Sequence, residues 1–376
     1  MNEANQGFLQ IDDNKINNTL RQIFDGMYDY VRVIDRNNNI IFVNKSMADA
    51  FGPILPGTKC YQLIGKDSSC DLCVSRKAVF DGFPHHKNEV IGDRTYSVMS
   101  SPVKNDKGEV FAVVEVLRDI TQLISLQNQI MEQNCKLEND LNIARKLQCN
   151  LLPKMLPQKN FKYSIIYKPC ETLGGDFLDI FKIDDNRVGV YIADVSGHGV
   201  SASMLTIFLR TSINKKCLSP SQALLEIFNE YKHFNLDHDL YITVFYAIID
   251  LKEKTMVFSN AGHNTSPIIF NRNKYQTLLT PGIPICNWME EPNYTDKKIL
   301  LESRDRLFLY TDGLSEIKNP MGEQYGENRF LEILLDYDPE PSIALNRILD
   351  SVYQFCEIED VSKVPDDIAM ALIEII

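Results

Sequence analysis

A chain of 376 residues, 44% hydrophobic and 24% charged, has material for two or three domains, each with its own core. Its formal net charge of −12 withholds the basic face that nucleic acid or an anionic membrane surface requires, so neither is an expected partner. Residues 1–10 lack a basic start followed by an apolar run, the longest apolar stretch (241–251) is too short for a bilayer, and nine scattered cysteines suit a reducing compartment; the expected location is the cytoplasm.

Residues 1–14 are expected to form a flexible tail. Short β-branched runs at 31–34 and 40–43 flank Asp35-Arg36-Asn37-Asn38-Asn39, a hairpin signal in which Asn supplies the positive-φ positions. Asn44 reads as the N-cap of a helix through Phe51, ended by Gly52-Pro53. Two more strands are expected at 94–101 and 110–117, joined by the turn Asn105-Asp106-Lys107-Gly108. This order of elements resembles a PAS sensor domain over residues 15–121. Arg118-Asp119-Ile120-Thr121 resembles the Asp-Ile-Thr ending of that family, which leads from the last strand into an output helix. Inside the same region Cys60, Cys70 and Cys73 stand close together, followed by His85 and His86. Thiolates with an imidazole could hold Zn²⁺, thiolates alone an iron–sulfur cluster, and Cys70 with Cys73 a reversible disulfide. The plain alternative is small residues in a mobile insertion.

From Gln122 onward Gly and Pro disappear until Pro153. Leu123, Leu126, Ile130, Asn134, Leu137, Leu141, Ala144, Gln148 and Leu151 alternate spacings of three and four, the seam of a coiled coil about four heptads long. Residues 122–152 are therefore expected to pair two copies of the chain as a parallel homodimer, with Asn134 and Gln148 fixing register; an amphipathic helix packed on its own domain is the alternative. Pro153 and Pro157 end the helix, so the linker is placed at 122–158. The helix contains no His, which removes the phosphoacceptor a histidine kinase needs.

Residues 159–376 read as a second domain of α+β class. Strands are expected at 164–167, 177–183 and 188–195, then helices from about Ser201 and Ser221. A hairpin follows, with strands at 241–250 and 255–260 turning at Lys252-Glu253-Lys254. Later strands fall at 298–301, 306–310 and 368–375, with a helix near 343–355. Strands cluster at both ends around helix pairs, which fits a sandwich better than a regular βαβ alternation.

Four Asp-containing turns stand at the ends of these apolar strands: Gly174-Gly175-Asp176-Phe177-Leu178-Asp179, Asp194-Val195-Ser196-Gly197-His198-Gly199, Tyr310-Thr311-Asp312-Gly313 and Pro365-Asp366-Asp367-Ile368. One such Asp is an ordinary turn residue. Several gathered at the rim of one core repel each other unless a cation neutralises them, and an oxygen-only cluster selects hard ions such as Mg²⁺ or Mn²⁺.

These four blocks, in this order, resemble the metal-dependent PPM protein phosphatases of the SpoIIE/RsbU branch. Ala144-Arg145-Lys146-Leu147-Gln148 with Leu151-Leu152-Pro153 resembles the helix that opens that domain, and Asn260-Ala261-Gly262-His263 resembles a further block of it. The resemblance implies an α/β/β/α sandwich and two Mn²⁺ or Mg²⁺ ions. Asp176 and Asp194 would lie between the ions, with the Val195 carbonyl completing one site. Asp312 and either Asp366 or Asp367 would hold the other, and Asp179 would face solvent or orient a water. It further implies hydrolysis of phosphoserine or phosphothreonine on a partner protein, an anti-sigma-factor antagonist in this branch, by attack of a metal-bound hydroxide. Lys168 is the nearest cation before Gly174, where eukaryotic relatives place a phosphate-binding Arg, so specificity is expected to rest on docking of the whole protein substrate. His198, near a helix start, is a candidate general acid that the helix dipole disfavours. His263 is expected to orient a loop. A binding scaffold without catalysis is the competing reading. Gly174-Gly175-Asp176-Phe177 resembles a diguanylate cyclase hairpin only superficially.

Overall fold

The computed structural model describes residues 13–55, 57–153, 156, 160–234, 236, 239–358 and 364–376. Most of the expected tail (residues 1–12) and Pro157 lie outside them. The chain divides into two compact units, 1–136 and 137–376.

The first unit contains helix α1 (Asp13–Asp25), strands β1 (Tyr30–Asp35) and β2 (Ile40–Val43), and helices α2 (Lys45–Phe51), α3 (Cys60–Leu63) and α4 (Val74–Asp81). Strands β3 (His85–Ile91), β4 (Arg94–Lys104) and β5 (Val110–Asp119) follow. The five strands form one antiparallel sheet in the order β2-β1-β5-β4-β3. The hairpin turns through Asn38 at φ 67°, the left-handed position expected of Asn there. Asn44 is the N-cap of α2: its Oδ1 accepts from Met47 N at 3.1 Å and from Val31 N at 3.0 Å. Strand β3 was not legible, because five of its seven residues are charged or polar and its burial alternates without a fully covered face. The interior of this unit is partly ionic. Arg32 Nε donates to Glu115 Oε2 at 2.6 Å, and Ser75 and Ser100 both donate to Glu115 Oε1, with all four side chains buried.

Helix α5 (Thr121–Leu151) follows the Asp-Ile-Thr ending. Leu123, Leu126, Ile130 and Leu137 are exposed along it. Gln148, expected on the same seam, is instead only 1% exposed and bonded inside the second unit.

The second unit comprises β6 (Phe161–Lys168), β7 (Phe177–Lys182), β8 (Arg187–Val195), α6 (Val200–Ser212), α7 (Pro220–Lys232), β9 (Ile242–Asp250) and β10 (Thr255–Ala261). It continues with β11 (Ile268–Phe270), β12 (Tyr275–Thr277), β13 (Lys297–Leu300), β14 (Arg306–Tyr310), α8 (Asp312–Ser315), α9 (Glu327–Leu335), α10 (Pro341–Phe355) and β15 (Ile368–Ile375). Two five-stranded sheets result, β13-β10-β9-β8-β7 and β12-β11-β14-β15-β6. Period-two alternation explains the layers. Leu178, Ile180, Val190 and Ile192 of one sheet share a core with Leu307, Leu309, Ala369 and Ala371 of the other. Phe177, Phe181 and Tyr191, one residue out of phase, pack with Leu205 and Leu209 of α6 and Leu224 and Phe228 of α7. Phe308, Tyr310 and Met370 pack with Phe330 of α9 and Leu345 and Ile348 of α10. Strands covered on both faces carry continuous apolar runs, which is why β8, β9 and β15 were legible. The architecture is the expected α/β/β/α sandwich.

Candidate metal centre

Strand pairing delivers the acids. Strands β7 and β8 pair with Phe177 opposite Ala193, which sets Asp176 beside Asp194. In the other sheet Tyr310 lies opposite Met370, and Thr311 N donates to Ala369 O at 3.0 Å, so Asp312 and Asp366-Asp367 reach the same end. Two glycines permit the approach. A Cβ on Gly175 would stand 2.9 Å from Gly197 O and 3.0 Å from Val195 O, and one on Gly313 would fall on the Asp367 carbonyl oxygen.

The gathered carboxylates are held at an energetic disadvantage. Burial, and then the charge of Asp194, push the Asp176 carboxyl well above the usual carboxylate range. Asp194 is pushed up to about 7, first by burial and then by Asp312, Asp366 and Asp367. The Asp366 carboxyl is raised by partial desolvation, and by Asp312 and Asp367 against a bond from the Asp367 N–H. Asp176 Oδ2 and the nearby Tyr167 hydroxyl are buried without a protein partner. Orphaned buried oxygen among mutually repelling acids is the chemistry a hard divalent cation satisfies, so the residues present fit such ions. Among the described residues no three His, Cys, Asp or Glu side chains stand in ligating geometry by themselves. Mg²⁺ tolerates that, since it keeps several waters and takes one or two carboxylates.

The paired acids differ sharply in their surroundings. Asp367 is buried and fully used: Oδ1 accepts from Cys170 N at 2.7 Å, while Oδ2 accepts from Gly175 N at 2.6 Å and Asp176 N at 3.3 Å. Asp366 is exposed, and its carboxylate accepts only the N–H of its neighbour among the hydrogen bonds described. Val195 N donates to Gly175 O at 3.2 Å, locking the two turns together. His198 sits at the rim with Nδ1 2.9 Å from Glu171 Oε1, both side chains at least half exposed. His263 is buried and orients its loop, as expected. Nδ1 lies 3.2 Å from Thr243 Oγ1 and Nε2 3.2 Å from Tyr310 O, while burial lowers its pKa to about 4.

Asp179 departs from expectation. It is 2% exposed rather than facing solvent, because strand alternation points it with Phe177 and Phe181 under α6. There Arg210 Nε and Lys215 Nζ approach it at 3.5 Å and 3.7 Å. Two contributors escaped the sequence reading as site residues. Asn264 donates from Nδ2 to Asp312 Oδ2 at 2.6 Å; it directly follows the Asn260-Ala261-Gly262-His263 block, which was its only signal. Gln148 donates from Nε2 to Gly174 O at 2.8 Å and to Thr206 Oγ1 at 3.2 Å, and accepts from Gly174 N at 3.3 Å. A buried amide on an otherwise apolar seam has no signature in heptad spacing that tells it from a register residue.

In the first unit Cys60 is buried, Cys70 and Cys73 are half-buried, and all three are free thiols. With no three ligating side chains together among the described residues, the Zn²⁺ and iron–sulfur alternatives draw no support.

Two β-sheets face to face, helices outside, and acidic turns converging from both sheets define a PP2C-type domain. The SiaA-PP2C domain of Pseudomonas aeruginosa has this fold, matching 65% of this chain and 99% of that one at a TM-score of 0.57 with 19% identity. The chain belongs to the SpoIIE family: the family profile described as Stage II sporulation protein E matches residues 184–376, and a PAS domain profile matches residues 25–122. Among its relatives are phosphoserine phosphatase RsbP of Bacillus subtilis, 28% identical over 224 residues (57% of this chain, 53% of that protein). Phosphoserine phosphatase RsbU of the same organism is 26% identical over 202 residues (52% of this chain, 57% of that protein). The chain thus spans about half the length of these relatives. No described helix is long and apolar enough to cross a membrane.

Proposed function

We propose that the chain is a metal-dependent protein serine/threonine phosphatase governed by its PAS domain, with residues 15–121 as sensor, 122–158 as linker and 159–376 as catalytic domain. One observation carries the reading: Asp176, Asp194, Asp312 and Asp366 converge from four strand ends into a cluster whose mutual repulsion bound cations would relieve. Asp176, Asp194 and the Val195 carbonyl serve one ion; Asp312 and Asp366 serve the other, and Asp367 positions rather than ligates. Bound there, Mn²⁺ or Mg²⁺ would supply a nucleophilic water of lowered pKa and neutralise charge on the phosphoryl oxygens.

The protein's own groups do the positioning. Asn264 holds the Asp312 carboxylate through its 2.6 Å bond. Asp367 ties the Gly175–Asp176 turn to β15, and the loop that carries Asn264 is fixed by the Asn260 side chain on the His263 backbone and by the neutral His263 ring on Thr243, Thr265 and Tyr310. The substrate is a phosphorylated protein, by family resemblance an anti-sigma-factor antagonist in the cytoplasm, and the acting form is a homodimer joined through residues 122–152. The test is phosphate release from a phosphoserine protein in Mn²⁺ by the full chain and by Asp312→Asn. Wild type turns over and the variant loses more than about 100-fold, a ligand costing at least as much as an outer-sphere partner. Equal rates from the two folded proteins would exclude the assignment.

A further inference from the structure

The sensor unit holds a second chemical feature, independent of the phosphatase reading. Cys60, Cys70 and Cys73 all line one small internal cavity of about 20 Å³, together with Arg32, Lys87 and Glu115. That space admits a molecule the size of a water or slightly more, since a single water needs about 10–15 Å³. Cys70 and Cys73 bracket a turn at Asp71-Leu72. The ends of a four-residue turn lie within about 7 Å, which falls in the Cα range that a disulfide bridges.

The three sulfurs are not equivalent. Cys73 is the N-cap of α4, and its Sγ accepts the Arg76 N–H at 3.4 Å, so it faces the free N–H groups of a helix start. Cys70 Sγ lies 3.8 Å from Lys66 Nζ, a cation that also bonds Glu89. Cys60 is buried, and burial pushes its thiol up to about 11, which keeps it protonated and unreactive.

We propose that Cys70 and Cys73 are a dithiol pair oxidised to a disulfide by hydrogen peroxide, with Cys73 as the attacking sulfur and Cys70 as the resolving one. In the first step the Cys73 thiolate attacks one peroxide oxygen. An S–O bond forms, the O–O bond breaks, and the departing hydroxide takes a proton to leave as water. Sulfur is oxidised to sulfenic acid and peroxide oxygen is reduced. In the second step Cys70 gives up its proton and its sulfur attacks Cys73 sulfur; the S–S bond forms, the S–O bond breaks, and the departing hydroxide takes that proton to leave as a second water. Two thiols and one peroxide become one disulfide and two waters. Reduction by a small dithiol reverses the change.

The sequence supplies a clean readout. Trypsin cuts after Lys66 and Arg76, giving Asp-Ser-Ser-Cys-Asp-Leu-Cys-Val-Ser-Arg (residues 67–76) with both sulfurs, while Cys60 falls on the separate peptide ending at Lys66. The reduced full-length chain is treated with hydrogen peroxide, alkylated with iodoacetamide, digested and analysed by mass spectrometry. The expected product is peptide 67–76 lighter by two hydrogens and alkylated at neither cysteine, reverting to the doubly alkylated form after dithiothreitol. Double alkylation after peroxide, or a bridge from Cys60 to this peptide, overturns the pairing. Roles are assigned with dimedone, which traps sulfenic acid: Cys70→Ser should label at Cys73, and Cys73→Ser should leave Cys70 unlabelled. The reverse labelling overturns the assignment of the attacking sulfur. Far-UV circular dichroism of each variant matching wild type keeps these outcomes free of misfolding.

Discussion

At the scale of single residues, Asp366 and Asp367 show how adjacent, chemically identical side chains acquire different work. Asp367 accepts three backbone N–H groups from segments far away in sequence, so Asp367→Asn should lose about 2–4 kcal/mol of metal-free stability, read by urea unfolding. Asp366→Asn removes one repelling charge and no such network. It should leave metal-free stability within about 1 kcal/mol while weakening Mn²⁺ binding more than about tenfold by calorimetry. The sequence could not separate them, because the deciding partners, Cys170 and Gly175, lie nearly two hundred positions upstream. His263 makes a prediction of its own. Its folded pKa near 4 lies below the ordinary value of about 6.5, so the unfolded chain binds the extra proton between those limits. Its contribution is complete above about pH 6.5 and is lost as pH falls toward 4, on the order of 3 kcal/mol in all. The Asp312 charge and the Tyr310 carbonyl favour protonation but do not offset burial. His263→Gln should flatten the acid slope of unfolding stability relative to wild type; an unchanged slope would count against the buried neutral imidazole.

Helix α5 argues at the scale of an element. Of the apolar residues on the expected heptad seam, Leu123, Leu126, Ile130 and Leu137 are exposed by roughly half or more of their surface. Spacing reports that a stripe exists, not what covers each part of it. Toward the end of α5 the cover is the chain's own sandwich: Leu151 packs beside α6 and α7, and Gln148 is enclosed. The polar seam residue assumed at Gln148 is therefore a strut of the Gly174 turn. If the exposed stretch pairs two chains, Leu126→Glu with Ile130→Glu should convert a dimer to a monomer in light scattering, with the Mn²⁺ affinity of the catalytic domain unchanged. A wild-type chain that is already monomeric at tens of micromolar removes the dimer.

For the molecule as a whole, the sandwich was largely readable, since strands buried on both faces carry long apolar runs, while β11 and β12, at three residues each, are too short to show a pattern. Trp288 is the sole tryptophan and belongs to the second unit, so its fluorescence follows that domain alone. Mn²⁺ at about 100 times its dissociation constant should stabilise the Trp288 transition by about 2.7 kcal/mol. Asp194→Asn should raise metal-free stability and lose most of that shift; a full shift in the variant would place the ions elsewhere.

The place of β15 has a consequence for biosynthesis. It lies between β14 and β6, and it alone joins the strand that begins the domain to the rest of its sheet. While a ribosome is still adding residues before Ile368, β6 and β14 both present open hydrogen-bonding edges lined by apolar side chains, and the Gly175 turn has no Asp367 to hold it. The nascent chain can complete its first sheet early but closes the second, and with it the acidic cluster, only once β15 has emerged. That interval is when a chaperone would matter most to this protein, and a stalled product lacking β15 would be both inactive and prone to aggregate.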